Sequence, residues 1–376
     1  MMSKDRIVPI TMPKWGLSMT EGKVVGWLVD EGRELQPGDP VMDIETEKIA
    51  NTFEALDAGT LRRKIAQVDD VLPIGALLGV LAPAEVEDAE VDAYVAAFQA
   101  SYVPPAAEEG EDGPGHQFVD VGGQRLRYAR RGEAGPAVVL LHGFGGDCDN
   151  WLFNLDALAA GARVHAPDLP GHGQSSKAIA DGSVEALART VLGFLDALEL
   201  DAVHLVGHSL GGAIALATAA AAPARVRALS LIAPAGLGPT INGDYLRGFI
   251  AAESRRELKP VLQQLVADAG LVNRQMIDDM LKYKRLDGVG EALRAIASGF
   301  AEGDAQRADL RPALEAVDCP VQILWGSADR IVPPAQAEGL PSNVAVHVID
   351  GAGHLPHLEA ASAVNVLLKR MTERLA

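Results

Sequence analysis

Two rhythms of apolar and polar positions run along this chain, and one gives way to the other near residue 115. In the first, apolar residues come in short alternating sets broken by turn residues. Around Val41, Asp43, Ile44, Glu47, Ile49, Thr52 and Phe53 the alternation reads as strand, tight turn, strand, with Lys48 at the exposed tip. The pattern also repeats. Sliding residues 22–46 by 37 positions lays Gly22 on Gly59, Val24 on Leu61, Leu28 on Ile65 and Leu35 on Leu72. Gly38 then falls on Gly75, Val41 on Leu78 and Ile44 on Leu81. Two copies of one short-stranded unit predict a small β-domain with approximate two-fold symmetry, with Lys48 at the junction of the copies.

The second rhythm begins at His116. Residues 117–121 and 124–128 flank Gly122-Gly123 and predict a hairpin. Buried-strand runs follow at Ala137–Leu141, Val164–Ala166, Val203–Val206, Ala228–Ala233, Val321–Trp325 and Val344–Ile349. Helical spacing falls between most of them, at 183–198, 210–222, 333–339 and 359–374. Strands alternating with helices predict a mostly parallel, doubly wound sheet. Residues 240–312 interrupt this with helical segments and no clear strand, so a helical cap over the carboxyl ends of the sheet is expected there.

Composition sharpens the boundary between the two. The 376 residues are 48% hydrophobic and 22% charged, ordinary for globular protein and long enough for about two cores. Residues 84–115 hold nine acidic and no basic side chains, half of the net charge of −18. The expected organisation is therefore a domain over 1–83, an acidic Ala/Pro linker over 84–115 and a second domain over 116–376. Within the linker, Val91, Tyr94, Val95 and Phe98 have helical spacing, which predicts a short helix docked on one domain. The net charge excludes nucleic acid and anionic membrane as partners. Cys148 and Cys319 have no metal-ligand spacing, and no apolar stretch has the length of a signal peptide or a membrane span. A soluble cytoplasmic protein without a metal site is expected.

The candidate chemistry sits where strands end. Gly207-His208-Ser209-Leu210-Gly211 lies between a strand and a helix, a sharp turn that exposes the Ser209 hydroxyl as a nucleophile. Leu141-His142-Gly143-Phe144-Gly145-Gly146 follows the first buried strand, so the N–H groups of Phe144 and Leu210 are the expected oxyanion donors. Asp329 and His354 each follow a later strand. The order Ser209, Asp329, His354 puts nucleophile, orienting carboxylate and base at one edge of the sheet, with Asp350 a second choice for the carboxylate. His142, His172 and His208 are expected to be hydrogen-bonded loop residues.

Residues 7–83 resemble the lipoyl domains of 2-oxo acid and acetoin dehydrogenase complexes, through Met12-Pro13, Leu17-Ser18-Met19-Thr20-Glu21-Gly22, Gly38, Glu45-Thr46-Glu47-Lys48 and Gly59. Biotin carriers share that flattened barrel, but their lysine sits between methionines; here Glu47 and Ile49 flank it. The resemblance implies lipoate carried covalently on Lys48. Residues 116–376 resemble serine α/β-hydrolases, and the serine sets them apart from the branches whose nucleophile is an aspartate. In this order the two halves resemble the dihydrolipoamide acetyltransferase family of acetoin dehydrogenase complexes. The resemblance implies acetyl transfer from lipoyl-lysine to coenzyme A in acetoin catabolism. The implied partners are a thiamine-diphosphate-dependent acetoin dehydrogenase component and dihydrolipoamide dehydrogenase, and a homo-oligomer is compatible. Two rivals stand beside it: a lipoyl-tethered serine thioesterase or carboxylesterase, and a non-enzymatic carrier whose second domain scaffolds partners. The basic peripheral subunit-binding domain of ordinary dehydrogenase acyltransferases is missing. Their H-x-x-x-D-G ending is also absent, since His347-Val348-Ile349-Asp350-Gly351 is one residue short.

Overall fold

The computed structural model describes residues 7–13, 21–36, 38–46, 50–55, 57–102 and 116–375. The chain divides into two compact units, 1–114 and 115–376.

The first unit holds β1 (Val8–Thr11), β2 (Glu21–Trp27), β3 (Glu34–Leu35), β4 (Pro40–Glu45), β5 (Ala50–Glu54), β6 (Gly59–Lys64), β7 (Val71–Pro73) and β8 (Leu77–Ala82). They form two four-stranded sheets, ordered β1-β8-β6-β3 and β5-β4-β2-β7. The 37-residue offset carries β2 onto β6, β3 onto β7 and β4 onto β8, so it exchanges one sheet for the other. The paired residues Val24 and Leu61, Val41 and Leu78, and Ile44 and Leu81 all lie in one core. The glycines that the repeat aligned, Gly38 and Gly75, both adopt the left-handed conformation, at φ 96° and 78°. β4 and β5 pair antiparallel up to Glu45 and Ala50, and Thr52 Oγ1 donates to Asp43 Oδ1 at 2.7 Å across them. Lys48 belongs to the connection between these strands and lies outside the described residues.

A helix, α1 (Asp88–Ser101), completes this unit. β8 reads Leu77-Leu78-Gly79-Val80-Leu81-Ala82 and is buried on both faces. Leu78 and Leu81 face the barrel core, whereas Leu77, Val80 and Ala82 pack with Val86 and Val91, flanked by Tyr94, Val95 and Phe98. The helix thus covers an apolar sheet face that would otherwise meet water. Arg62 and Arg63 of β6 pair with Asp88, and Arg63 also pairs with Asp92. Tyr102 Oη donates to the Ile74 carbonyl at 2.6 Å.

The second unit opens with the hairpin β9 (His116–Val121) and β10 (Gln124–Arg131). It continues with β11 (Ala137–Leu141), α2 (Leu152–Ala159), β12 (Arg163–Pro167), α3 (Val184–Ala197), β13 (Val203–His208), α4 (Leu210–Ala221) and β14 (Val226–Ile232). Four helices then interrupt the alternation: α5 (Gly243–Ala251), α6 (Arg255–Leu262), α7 (Arg274–Lys284) and α8 (Val289–Phe300). After the small ribbon β15 (Ala301–Glu302) and β16 (Ala305–Gln306) come α9 (Arg311–Ala316), β17 (Val321–Gly326), β18 (Ala345–Ile349), α10 (Pro356–Glu359) and α11 (Ala361–Glu373). The eight-stranded sheet runs β9-β10-β12-β11-β13-β14-β17-β18, parallel from β12 through β18 and antiparallel at the β9–β10 end.

Four local readings differ. β18, read as a buried run, is the edge of the sheet and exposes Val346 and Val348. Residues 240–312 do contain strands, the β15–β16 ribbon, but two residues per strand are too few to register as alternation. Residues 333–339 form only a single 3₁₀ turn, Pro334–Ala337, because Pro333 and Pro334 supply no N–H and Gly339 turns left-handed at φ 67°. α2 went unread between Leu141 and Val164. No helix among the described residues is long and apolar enough to cross a membrane.

Candidate active site

Ser209 caps α4 immediately after β13, at φ 53° and ψ −116°. That strained turn exists because its neighbours are small. A Cβ on Gly207 would lie 2.2 Å from the Gly211 carbonyl oxygen, and one on Gly211 would lie 2.2 Å from that of Leu141. The backbones of β13, α4 and β11 therefore close on one another only with glycine at both places. Ser209 N–H donates to Ile232 O at 2.9 Å, and Ser209 O accepts from Gly212, Ala213 and Ala235. The elbow is thus tied to β14 and to its own helix.

Asp329 follows β17 and is buried. Its Oδ1 accepts the N–H groups of Ile331 at 2.8 Å and Val332 at 3.1 Å. Its Oδ2 accepts Trp325 Nε1–H at 3.1 Å and His354 Nδ1–H at 2.8 Å. With Nδ1 committed as a donor, His354 Nε2 is the ring nitrogen left to exchange a proton. Asp350 is exposed and instead accepts from Ser327 Oγ at 3.1 Å. His354 N–H donates to Leu265 O at 2.8 Å, which ties the histidine to the segment after α6.

The loop after β11 lies against this elbow. A Cβ on Gly143 would meet Ser209 Cβ at 3.2 Å and His208 Nδ1 at 2.7 Å. Gly145 N–H donates to His172 Nε2 at 3.1 Å, and Gly146 N–H to Gly143 O at 3.1 Å. Leu210 is the first residue of α4, where an N–H has no intrahelical acceptor. The Phe144 ring packs against Phe249 of α5 and Phe300 of α8, each 5.8 Å away between centroids. The cap thereby supplies an apolar wall beside the loop.

The other histidines hold this framework. Leu169 N–H donates to His142 Nε2, so His142 Nδ1–H donates to Gly143 O at 2.8 Å. His172 Nδ1–H likewise donates to Pro170 O at 3.0 Å. Burial lowers the pKa of both rings, and each is held neutral as these bonds require. His208 Nε2–H donates to the His354 carbonyl at 2.8 Å, and burial depresses its pKa strongly. Cys148 is fully buried, and desolvation pushes its thiol up, away from the nucleophilic thiolate.

Glu359 was missed in the sequence. Its Oε1 accepts the N–H groups of Gly353 at 2.9 Å and Leu355 at 3.2 Å, on either side of His354. Its Oε2 accepts Ala267 N–H at 2.7 Å. Burial raises its pKa despite these three donors. A lone glutamate at the start of a helical pattern gives no signal of such a role.

Residues 136–361 match the α/β hydrolase fold family, and residues 8–81 match the family of biotin-requiring enzymes. The chain is 52% identical over 366 residues to the dihydrolipoyllysine-residue acetyltransferase component of the acetoin cleaving system of Cupriavidus necator, covering 97% of each. The chain belongs to that family. The Pseudomonas putida acetyltransferase component is also 52% identical, over 96% of this chain and 97% of its own. An acyltransferase of acetoin catabolism here uses a lipoyl-type unit followed by an α/β-hydrolase unit. Among solved structures, a meta-cleavage product hydrolase superposes with a TM-score of 0.63 at 25% identity, over 69% of this chain and 98% of its own. The second unit therefore shares its fold with a hydrolase.

Proposed function

We propose that Ser209, Asp329 and His354 transfer an acetyl group from lipoyl-Lys48 to coenzyme A, through an acetyl-serine. The Asp329–His354 bond of 2.8 Å carries this reading, with the His354 carbonyl accepting His208 Nε2–H beside the strained Ser209 elbow. The described residues around Lys48 suit a covalent lipoyl group. The register ends at Glu45 and Ala50, which leaves four residues between the paired strands, and Lys48 is the lysine among them. When bound, the lipoyl group supplies a thiol that holds the acetyl group as a thioester.

The chain's own residues do the rest. Ser209 Oγ attacks the thioester carbonyl and gives its proton to His354 Nε2, which returns it to the departing thiol. Asp329 holds the ring in the tautomer with Nδ1–H and stabilises the imidazolium. The N–H groups of Phe144 and Leu210 donate hydrogen bonds to the developing oxyanion. His354 then takes the proton of the incoming coenzyme A thiol, whose sulfur attacks the acetyl-serine, and returns it to Ser209 Oγ as the ester bond breaks. The apolar wall of Phe144, Phe249 and Phe300 disfavours water as the competing acceptor. We further assign the thioester supply to a thiamine-diphosphate-dependent component and reoxidation to dihydrolipoamide dehydrogenase, in the cytoplasm.

The hydrolytic alternative is favoured by one observation, the likeness of the second unit to a meta-cleavage product hydrolase. One experiment separates them. Acetyl-dihydrolipoamide and coenzyme A are incubated with the protein and with Ser209→Ala, and acetyl-CoA and free acetate are measured. Acetyl-CoA should dominate and fall by ~10⁴-fold or more in Ser209→Ala. Free acetate as the main product would replace transfer with hydrolysis, and an unchanged rate in the variant would remove Ser209 from the reaction.

A further inference from the structure

Away from the elbow, three side chains of different chemistry converge. His116 is the first residue of β9, and Cys148 and Asp149 occupy the 3₁₀ turn Cys148–Trp151 that follows the loop carrying Phe144. His116 Nε2 lies 3.5 Å from Cys148 Sγ and 3.8 Å from Asp149 Oδ1, and one donor atom from each residue falls within 4.8 Å of the others. Cys148 is fully buried, while the His116 and Asp149 side chains keep 7% and 22% of their exposure.

The arrangement is not that of a second catalytic relay. In a relay the carboxylate would bond one ring nitrogen and the thiol the other. Here sulfur and carboxylate oxygen both approach the same Nε2, and the third edge, from sulfur to carboxylate oxygen, is no longer than 4.8 Å. Bond lengths of about 2.3 Å for sulfur and 2.0–2.2 Å for nitrogen and oxygen place tetrahedral ligands ~3.5 Å apart for S···N and ~3.4 Å for N···O. The observed edges of 3.5 and 3.8 Å match that figure after a small rotation of the Asp149 carboxylate. The turn is held rigidly for the purpose. Asp147 accepts Asp149 N–H in a capping box with Asn150, and Cys148 N–H donates to Asp168 Oδ1 at 2.8 Å.

We propose that His116, Cys148 and Asp149 bind a zinc-type divalent cation, with water as fourth ligand. Without a cation Cys148 is a thiol; binding would release its proton to solvent and leave a thiolate, which with an imidazole and one carboxylate suits zinc better than magnesium or calcium. The ion pins the entry strand of the second unit to the turn behind the oxyanion loop, a structural role independent of the transfer reaction. Sequence spacing conceals the site, since His116 lies 32 residues before Cys148.

The test uses the full chain, dialysed free of loose metal without chelator, with zinc counted by mass spectrometry. About one zinc per chain is expected, falling at least ~10-fold in Cys148→Ser and His116→Gln and unchanged in Cys319→Ser. Cobalt(II) added to the chelated protein should give a thiolate-to-cobalt charge-transfer band that the two ligand variants lack. Lys48→Arg must keep both signals, which rules out lipoyl sulfur as their source. If Cys148→Ser fails to fold, the cobalt band and His116→Gln still decide. Zinc below about 0.1 per chain with no cobalt band, or binding that survives both ligand variants, would overturn the site. The contact would then be a thiol–imidazole hydrogen bond.

Discussion

At Asp329 a single carboxylate accepts four hydrogen bonds, from two backbone N–H groups, an indole and His354. Its backbone partners fix the carboxylate, so that the remaining oxygen sets the tautomer of the histidine. Asp329→Asn keeps the volume but can turn an amide N–H toward Nδ1, which forces the proton onto Nε2, where the base is needed. A fall in kcat of about 10⁴ is expected, with a melting temperature close to the parent's. A loss below tenfold would show that Asp329 orients nothing. The approach of Asp329 to His354, and the elbow at Ser209, were legible because each residue follows a strand end, and strand ends share one edge of a parallel sheet. Glu359 and the His142–His172 pair act through backbone groups, and a sequence pattern carries no mark of which N–H or carbonyl a buried side chain will reach.

Elements show the same division between what local pattern encodes and what packing adds. Gly38 and Gly75 occupy equivalent turns of the two-fold repeat, and the left-handed conformation at both costs a β-carbon about 1–2 kcal/mol. A Cβ at Gly38 meets nothing within 4 Å, and one at Gly75 meets only Tyr102, at an ordinary 3.5 Å. Gly38→Ala and Gly75→Ala should therefore destabilise the first unit by similar amounts, about 1 kcal/mol each in urea unfolding. Costs differing severalfold would break the equivalence of the copies. The repeat was readable because it is written in apolar residues and glycines. The ion pairs of α1 were not, because Arg62–Asp88 and Arg63–Asp92 link positions more than 25 residues apart. The docked helix was expected from its apolar spacing, but not that the acidic run spends part of its charge on the barrel. In the second unit, His204 joins β13 to Thr372 of α11 at 3.0 Å and to Ser230 of β14 at 2.7 Å. Burial lowers the pKa from 6.5 to about 3 for His204 and His357, and to about 4 for His165. Below pH 6.5 the unfolded chain takes up protons that the folded unit refuses. Stability is therefore complete above that pH and declines as pH falls, by about 1.4 kcal/mol per unit for each such histidine. Urea midpoints of this unit should drop steeply from pH 7 to 5, and a flat profile would contradict the burial of these rings.

For the whole molecule, a carrier and the proposed triad on one chain set how often thioester and nucleophile meet. With α1 packed on the first unit, residues 103–115 remain between the last described residue of that unit and His116. Thirteen residues reach at most ~45 Å, a covalent bound whatever their path. The first unit and the lipoyl arm extend that reach to roughly 80 Å, and one thioester confined within such a sphere is present at about 1 mM, close to what short linkers provide. A triad with a millimolar KM for free acetyl-dihydrolipoamide would then work near half-saturation on its own carrier. The full chain, acetylated on Lys48 and mixed with coenzyme A, should release acetyl-CoA at a rate per chain that does not change with dilution. Residues 1–102 and 116–376 supplied as separate pieces should show a rate per triad proportional to carrier concentration, matching the intact chain only in the millimolar range. If the intact chain slows on dilution in the same way as the pieces, each triad is served by the carriers of other chains. The tether would then serve assembly rather than delivery.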